Sequence, residues 1–160
     1  MRAWPEAVER VAAYLRESAT EARIEEFRAG TPTAADAARA VGCDPAQIVK
    51  SLVFLCDDRA VLALVPGDRR ADPGKVARAA GAERASVARA AQVEEATGFP
   101  PGGVAPFPLR AIERVLIDRL LLAHDVVWIG AGSPNHLAAL APFELARGAR
   151  ATAADLVREG

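Results

Sequence analysis

The sequence contains little cysteine and little histidine, and both shortages restrict its chemistry. Its 160 residues include two cysteines and two histidines. Cys43 and Cys56 are too few for a disulfide framework, so we expect a protein of the cytoplasm. His124 and His136 form no spaced pair with either cysteine, so the sequence predicts no metal site and no metal-dependent catalysis.

Long apolar runs and an excess of one charge are also missing. No run approaches the roughly 20 apolar residues that a membrane span needs. The N-terminal stretch MRAWPEAVERVAAYLRES lacks the apolar segment of a secretory signal. The formal net charge of −1 argues against a protein that binds long nucleic acids, DNA included, by charge alone. It leaves open a protein that contacts one end of an RNA.

The motifs of several enzyme classes are absent from the sequence. Ser18, Ser51, Ser86 and Ser133 lie outside any G-x-S-x-G nucleophile elbow. Neither a phosphate-binding loop nor a dinucleotide fingerprint occurs, so no cofactor is predicted. Cys56 stands in an apolar run, where an inert core thiol is expected rather than a nucleophile.

Helix and strand signals are interspersed in a chain that is 51% hydrophobic and 26% charged. Helices are predicted for Pro5 to Ser18, after the capping residues Thr33, Asp72 and Ser86, and in the terminal stretch TAADLVRE. The runs KSLVFLC and AVLALVP, separated by DDR, predict a hairpin, and RVLID and VVWIG predict two more buried strands. We therefore expect one mixed α/β domain over residues 1–160, with a mixed sheet or partly closed barrel flanked by helices. Residues 1–20 should form a helix packed on that domain.

Lys50 is unusual because the chain otherwise uses arginine for almost all of its basic positions. Of the 20 Lys and Arg residues, two are lysine, Lys50 and Lys75. Alternation along KSLVFLC places Lys50 on the same strand face as Leu52 and Phe54, with its ammonium at the rim of the sheet. Lys50 is therefore either a site residue or a strand-end lysine whose ammonium is merely solvated.

Two loops that contain glycine and proline are further candidates for a site. GFPPGGVAPFP, at positions 98–108, breaks all periodicity, and Gly102-Gly103 can offer backbone N–H groups to a carboxylate, a phosphate or an oxyanion. GAGSPNH, at positions 130–136, follows a buried strand, and Asn135 and His136 add hydrogen-bonding groups. Plain surface connections are the alternative interpretation of both loops.

Taken in this order, the three elements resemble the YbaK/EbsC family over most of the chain, from about Thr31 to Leu156. DPAQIVKSLVF is similar to the segment that carries the family's lysine. VARAAGAERASVARAAQVEEATGFPPGGVAPF resembles its helix, short strand and glycine-rich loop, and VLIDRLLLAHDVVWIGAGSPNHLAALAPFEL resembles its paired strands and second active-site loop. Family members are free-standing aminoacyl-tRNA deacylases, related to the editing domain of bacterial prolyl-tRNA synthetases.

The resemblance implies a mixed α/β fold around a curved, barrel-like sheet, with a pocket for the aminoacylated 3′ end of tRNA. Lys50 would be the catalytic pocket lysine, and the first loop would approach the scissile ester while the second forms the opposite wall. The substrate-binding residues implied in this way are Gly102, Gly103, Val104, Gly130, Gly132, Asn135 and His136.

The implied activity is metal-independent hydrolysis of a mischarged aminoacyl-tRNA, with a small amino acid on a tRNA such as tRNA-Pro. Prolyl-tRNA synthetase is the expected protein partner, and no membrane partner is expected. Members that act on cysteinyl-tRNA carry a serine and an acidic residue where this sequence has Gly130 and Leu137, so the resemblance does not favour cysteine. The alternative function is a non-catalytic module that holds aminoacyl-tRNA or nucleotide ends beside a synthetase.

Overall fold

The computed structural model describes residues 4–28 and 30–159 and arranges them as two β-sheets with surrounding helices. The α-helices are α1 Glu6–Glu17, α2 Ala34–Val41, α3 Pro73–Ala80, α4 Ala90–Thr97 and α5 Pro142–Ala149. The strands are β1 Arg23–Glu26, β2 Val49–Cys56, β3 Arg59–Pro66, β4 Ala85–Val87, β5 Arg114–Asp118, β6 Val127–Ser133, β7 His136–Leu140 and β8 Thr152–Ala154. Short 3-10 helices lie at Pro45–Gln47, Pro101–Gly103 and Arg119–Ala123. Among these residues no helix has the length and apolar character required to cross a membrane.

The strands form two open sheets, so the expected barrel-like sheet is wrong. The larger sheet has the order β4-β2-β3-β5-β8 and the smaller one has the order β1-β7-β6. The larger sheet is mixed, as predicted, because β2 pairs antiparallel with β3 while β5 pairs in parallel with β3 and β8. Between the sheets, the described residues form one parallel bridge, Ile48 to Trp128. The edge strands β4 and β8 have three residues each, too short a ladder to continue the sheet towards closure.

The predicted hairpin of β2 and β3 is confirmed, with a tighter turn than expected. Arg59 already pairs with Cys56, so the connection consists of Asp57 and Asp58 alone. Both residues have positive φ angles, 50° and 69°, which is the backbone of a type I′ turn. Aspartate tolerates this left-handed conformation better than most residues do, which explains two consecutive aspartates at this place.

The helices α2 and α3 begin and end where the capping residues predicted. The side chains of Thr33 and Asp72 accept hydrogen bonds from backbone N–H groups in the first turn of α2 and α3 respectively. Gly42 and Gly81 follow the two helices with φ angles of 76° and 70°, a left-handed conformation that glycine adopts without strain.

Two predicted helices are corrected by strand pairing. Ser86 does not cap a helix; it lies in β4 opposite Leu55, and α4 begins only at Ala90. The terminal stretch TAADLVRE is not helical at its start, because Thr152–Ala154 forms β8 beside Leu116–Asp118. In both places the unpaired edge of a neighbouring strand outweighs a local helix propensity that is weak.

Apolar side chains fill three spaces around the sheets. The largest cluster lies between the sheets and under α1, and it includes the fully buried Leu62 and Ile129. On the other face of the larger sheet, Val76 of α3 packs with Leu156 of the C-terminal segment. A third cluster under α2 contains Trp128. Both faces of the β2–β3 hairpin are therefore covered, as its continuous apolar runs predicted.

Asp118 is a fully buried carboxylate at the end of β5 that ties the C-terminal segment to the larger sheet. Its Oδ1 accepts a hydrogen bond from the N–H of Leu156 at 2.8 Å, and its Oδ2 accepts one from the N–H of Leu120 at 3.0 Å. Directly after Leu156, Val157 forms an antiparallel bridge with Ala71. The buried carboxylate thus holds the end of the described chain against the loop that follows β3.

We expect Asp118→Ala to lower the free energy of unfolding by about 2–4 kcal/mol, because the buried N–H of Leu156 and the partly buried N–H of Leu120 lose their acceptor. Urea denaturation would measure the change. Asp125→Ala is the matched control, since Asp125 is exposed and its loss should change stability by less than about 0.5 kcal/mol. Equal stabilities of the two variants would contradict the anchoring role of Asp118.

Candidate active site

A cavity of about 570 Å³ is lined by residues of both β2 and β6, next to the bridge between Ile48 and Trp128. Its walls come from the start of β2, the end of β6, the loop around Gly102 and the start of α2. This volume falls in the range of about 300–1,000 Å³ that is typical of small-ligand sites. A second cavity, of about 710 Å³, lies beside Tyr14 and Phe107, and none of the predicted site residues lines it.

Lys50 lines the first cavity as the second residue of β2. Its Nζ donates a hydrogen bond to the backbone carbonyl of Arg69 at 2.6 Å, so the ammonium has a defined position at the rim. Partial burial lowers the pKa of Lys50 from its ordinary value of 10.5, while Asp68 acts to raise that pKa and Arg70 to lower it. A capped 3-10 turn, Pro45–Gln47, delivers the chain to this position.

The first glycine loop contributes Gly102 and Val104 to the wall of the cavity, and Gly103 lies behind them. The N–H of Gly103 donates to the carbonyl of Pro100 at 2.9 Å, so this amide is engaged in the turn. A methyl group on Gly103 would lie 2.8 Å from the Cα of Ser133. Gly103 therefore lets the loop pack closely on β6, and its N–H is not directed at a ligand.

The second loop contributes Gly130 to the same cavity, whereas Gly132 lies outside the lining. A methyl group on Gly130 would lie 2.5 Å from the carbonyl oxygen of Val104, so β6 and the first loop are in backbone contact. Gly132 has a φ of 106°, and a methyl group there would lie 2.8 Å from the carbonyl oxygen of Ala7. Gly132 thus permits the close approach of α1 to β6.

Asn135 and His136 do not line the cavity. Both form hydrogen bonds with Ser133, which lines it. Asn135 is exposed in the turn between β6 and β7, and its N–H donates to the hydroxyl oxygen of Ser133 at 3.0 Å. The His136 ring is buried, with Nδ1 2.5 Å from the same oxygen and Nε2 3.9 Å from a carboxylate oxygen of Glu26. The structure brings together four of the eight predicted residues, Lys50, Gly102, Val104 and Gly130, and places the other four around them.

Ser51 lines the cavity directly after Lys50, and sequence reasoning missed it. Its hydroxyl is sealed from solvent and has no hydrogen-bond partner among the described residues. A buried hydroxyl without a partner is uncommon in folded proteins and calls for an explanation. In the sequence, Ser51 could have been noticed as a polar residue that follows Lys50 inside an otherwise apolar strand.

The start of α2 and Gly67 complete the wall opposite the glycine loops. A methyl group on Gly67 would lie 2.7 Å from both the Cβ of Ala34 and the carbonyl oxygen of Pro45. Apolar groups of Ile48 and Leu137 add to the lining. In the described ranges, no group of three or more His, Cys, Asp and Glu side chains could hold a metal ion. The site thus offers an ammonium at its rim, backbone groups on one side and a lining that mixes polar and apolar groups.

The resemblance placed the second loop on the wall opposite the first, but both loops lie on one side of the cavity, because Gly130 meets the carbonyl of Val104. Comparison with known families supports the resemblance itself. Residues 28–147 match the model of the aminoacyl-tRNA editing domain. The chain belongs to this family, and the predicted resemblance to the YbaK/EbsC type is confirmed.

Relatives of the chain include both domains of larger enzymes and separate proteins. The proline–tRNA ligase of Desulforamulus reducens is 32% identical over 106 residues, which cover 66% of this chain and 18% of the ligase. The chain therefore spans about a fifth of that enzyme's length. The uncharacterized protein YwhH of Bacillus subtilis is 32% identical over 123 residues, 76% of this chain and 78% of YwhH. A crystal structure of a protein proposed to be a trans-editing enzyme for prolyl-tRNA synthetase has a TM-score of 0.91 and 36% identity, covering 98% of this chain and 100% of that one.

We expect Gly130→Ala to lower the free energy of unfolding by about 1–3 kcal/mol, because its methyl group would overlap the carbonyl of Val104 and push the two loops apart. Gly102→Ala is the matched control, since its methyl group would meet the Pro134 side chain at an ordinary 3.6 Å. Thermal or urea denaturation measures both. Similar stabilities for the two alanine variants would show that β6 and the first loop are not in the close contact described.

Proposed function

We propose that this chain is a trans-editing hydrolase that cleaves the ester bond of mischarged aminoacyl-tRNA. The observation that carries the proposal is the Lys50 ammonium at the rim of a cavity whose opposite wall holds Gly102, Val104 and Gly130. Membership of the aminoacyl-tRNA editing domain family supports it. The ligases that match the chain are specific for proline, which favours tRNA-Pro as the substrate and prolyl-tRNA synthetase as the partner.

Hydrolysis of an aminoacyl ester requires only a modest lowering of the activation barrier by the protein, because the ester is already activated. Fixing the ester, orienting a water molecule and stabilising the developing oxyanion supply the required lowering of the barrier, and no metal ion or strong nucleophile is needed. Lys50 binds the terminal phosphate or ribose oxygens and so orients the ester. The backbone at Gly102 and Val104 lies beside the reacting carbonyl, whereas the N–H of Gly103 takes no part, because it is bonded to Pro100.

A lysine suits the rim better than an arginine would. Its ammonium carries three donors, so Lys50 can keep its bond to the Arg69 carbonyl while it donates to a ligand oxygen. An arginine would present a planar fork on a longer side chain, which requires a wider site. Substrate choice would then follow from cavity size, since large aminoacyl groups are rejected by overlap with Ile48, Val104 and Leu137. Discrimination among small groups is worth only about 1–3 kcal/mol per methylene.

We expect Lys50→Ala to lower kcat/KM for deacylation at least about 100-fold, because the ester loses its charged positioning group. Lys50→Arg should not restore activity. The assay follows release of amino acid from tRNAs charged with Ala, Ser, Cys, Thr or Pro. Lys75→Arg is the matched control, because Lys75 forms an ion pair with Asp155 at 3.0 Å that an arginine can replace.

Multiple turnovers by the wild-type protein on at least one small-amino-acid tRNA are expected. The wild-type protein could instead be folded, inert towards the whole panel, and able to bind charged tRNA in a Lys50-dependent manner. That result would favour the non-catalytic binding module over the hydrolase. Full activity of the Lys50→Ala variant would instead show that Lys50 is only a solvated strand-end residue with no role in the reaction.

Ser51 gives a second test, in which stability and activity move in different directions. A buried hydroxyl without a partner destabilises the free protein, and we propose that the Ser51 side chain rotates into the cavity and bonds the aminoacyl group when substrate is bound. Ser51→Ala should leave the free energy of unfolding unchanged or higher, while kcat/KM falls about tenfold, equivalent to about 1.4 kcal/mol. The exposed Ser86 supplies the control, since Ser86→Ala should change neither quantity. A less stable Ser51→Ala variant, or one with full activity, would refute the role.

A further inference from the structure

Three arginines stand together beside the cavity and are joined to Lys50 through the backbone. The carbonyl of Arg69 accepts the hydrogen bond of the Lys50 ammonium at 2.6 Å, and Gly67, two residues earlier, lines the cavity. The Arg69 guanidinium donates to the carbonyl of Arg158 at 2.9 Å, and the N–H of Arg158 donates to the carbonyl of Arg70 at 2.8 Å. We call the surface formed by Arg69, Arg70 and Arg158 the arginine rim.

The arginine rim holds positive charge that the described protein does not neutralise. Arg70 and Arg158 are exposed, and neither guanidinium has a hydrogen-bond or ion-pair partner in residues 4–28 and 30–159. Asp68 and Glu159 are the acidic residues next to the rim in sequence, so the positive groups there, with Lys50, outnumber the negative ones. By contrast, the guanidinium groups of Arg39, Arg59 and Arg147 are each paired with a carboxylate.

Hydrogen-bonded backbone fixes the place of the arginine rim relative to the cavity. Val157 forms an antiparallel bridge with Ala71, and the N–H of Asp72 donates to the carbonyl of Leu156 at 2.8 Å. The buried carboxylate of Asp118 holds the N–H of Leu156 from the other side. The paired backbone therefore needs no reordering when a ligand binds, whereas the exposed side chains of Arg70 and Arg158 still lose rotamer freedom.

We propose that the arginine rim binds backbone phosphates of the tRNA acceptor strand as that strand leaves the cavity. The proposal rests on the proposed function, because it takes the aminoacylated end of the strand to be in the cavity beside Lys50. Arginine is suited to phosphate through paired N–H donors. The chain has a net charge of −1, so its attraction for RNA must come from a local surface of this kind rather than from overall charge.

The test compares two substrates that differ in whether they reach the arginine rim: full-length charged tRNA and the aminoacylated trinucleotide CCA. The variant is the double substitution Arg70→Ala and Arg158→Ala, which preserves the backbone bonds of the rim. The control substitution is Arg59→Ala, at the opposite end of the β2–β3 hairpin from Lys50. This control removes positive charge from a site far from the cavity.

We expect the double variant to lose about tenfold in kcat/KM on tRNA at about 0.1 M salt, mainly through a higher KM, if each phosphate contact is worth about 0.7 kcal/mol. Cleavage of the trinucleotide should stay within about twofold of wild type. The dependence of log(kcat/KM) on log[salt] should become shallower by about 0.7–0.9 per contact removed. Arg59→Ala should change none of these quantities by more than about twofold.

Three results would overturn the role of the arginine rim: unchanged cleavage of tRNA, equal losses on tRNA and trinucleotide, or an equal loss in Arg59→Ala. A wild-type protein that cleaves neither substrate would refute the proposed function instead. In that event, binding of uncharged tRNA, measured by fluorescence anisotropy, tests whether the arginine rim contacts phosphates. Weaker binding by the double variant than by Arg59→Ala supports the rim, and equal binding of the two variants refutes it.

Discussion

The bridge between Ile48 and Trp128 is the constraint on which the site depends. In the part of the chain that the structure describes, it is the one backbone bridge between the two sheets, and the cavity beside it is lined by residues of both β2 and β6. On one wall of the cavity, close backbone contacts at glycine hold the first loop against β6, most closely where Gly130 meets the carbonyl of Val104.

The parts of the fold that could be predicted are those determined by neighbouring residues. Helix limits at Thr33 and Gly42 follow from a side-chain oxygen and a left-handed glycine, both local properties. The β2–β3 hairpin follows from two apolar runs around a polar turn, and the placement of Lys50 at its end follows from strand alternation. The glycine loops were recognisable as a candidate site through their order along the chain, which the family resemblance supplied.

The features that could not be predicted depend on contacts between residues far apart in sequence. The strands β4 and β8 form because edges of β2 and β5 are available, and no local pattern around Ser86 or Thr152 reports such an edge. For the same reason the difference between Gly102 and Gly103 was not predictable, because it depends on which of two adjacent glycines packs on β6. His136 shows the limit of motif reasoning: the residue adjoins the site in sequence, yet its ring supports Ser133 from within the protein.

The hydrogen bond between Lys50 and the Arg69 carbonyl has a thermodynamic consequence for any ligand of the cavity. Ordering a long, flexible side chain at an interface usually subtracts about 0.5–1.5 kcal/mol from affinity. Here much of that entropy is lost on folding, before a ligand arrives. Lys50 can therefore bind a ligand in the cavity with a smaller loss of side-chain entropy than a freely rotating lysine would have.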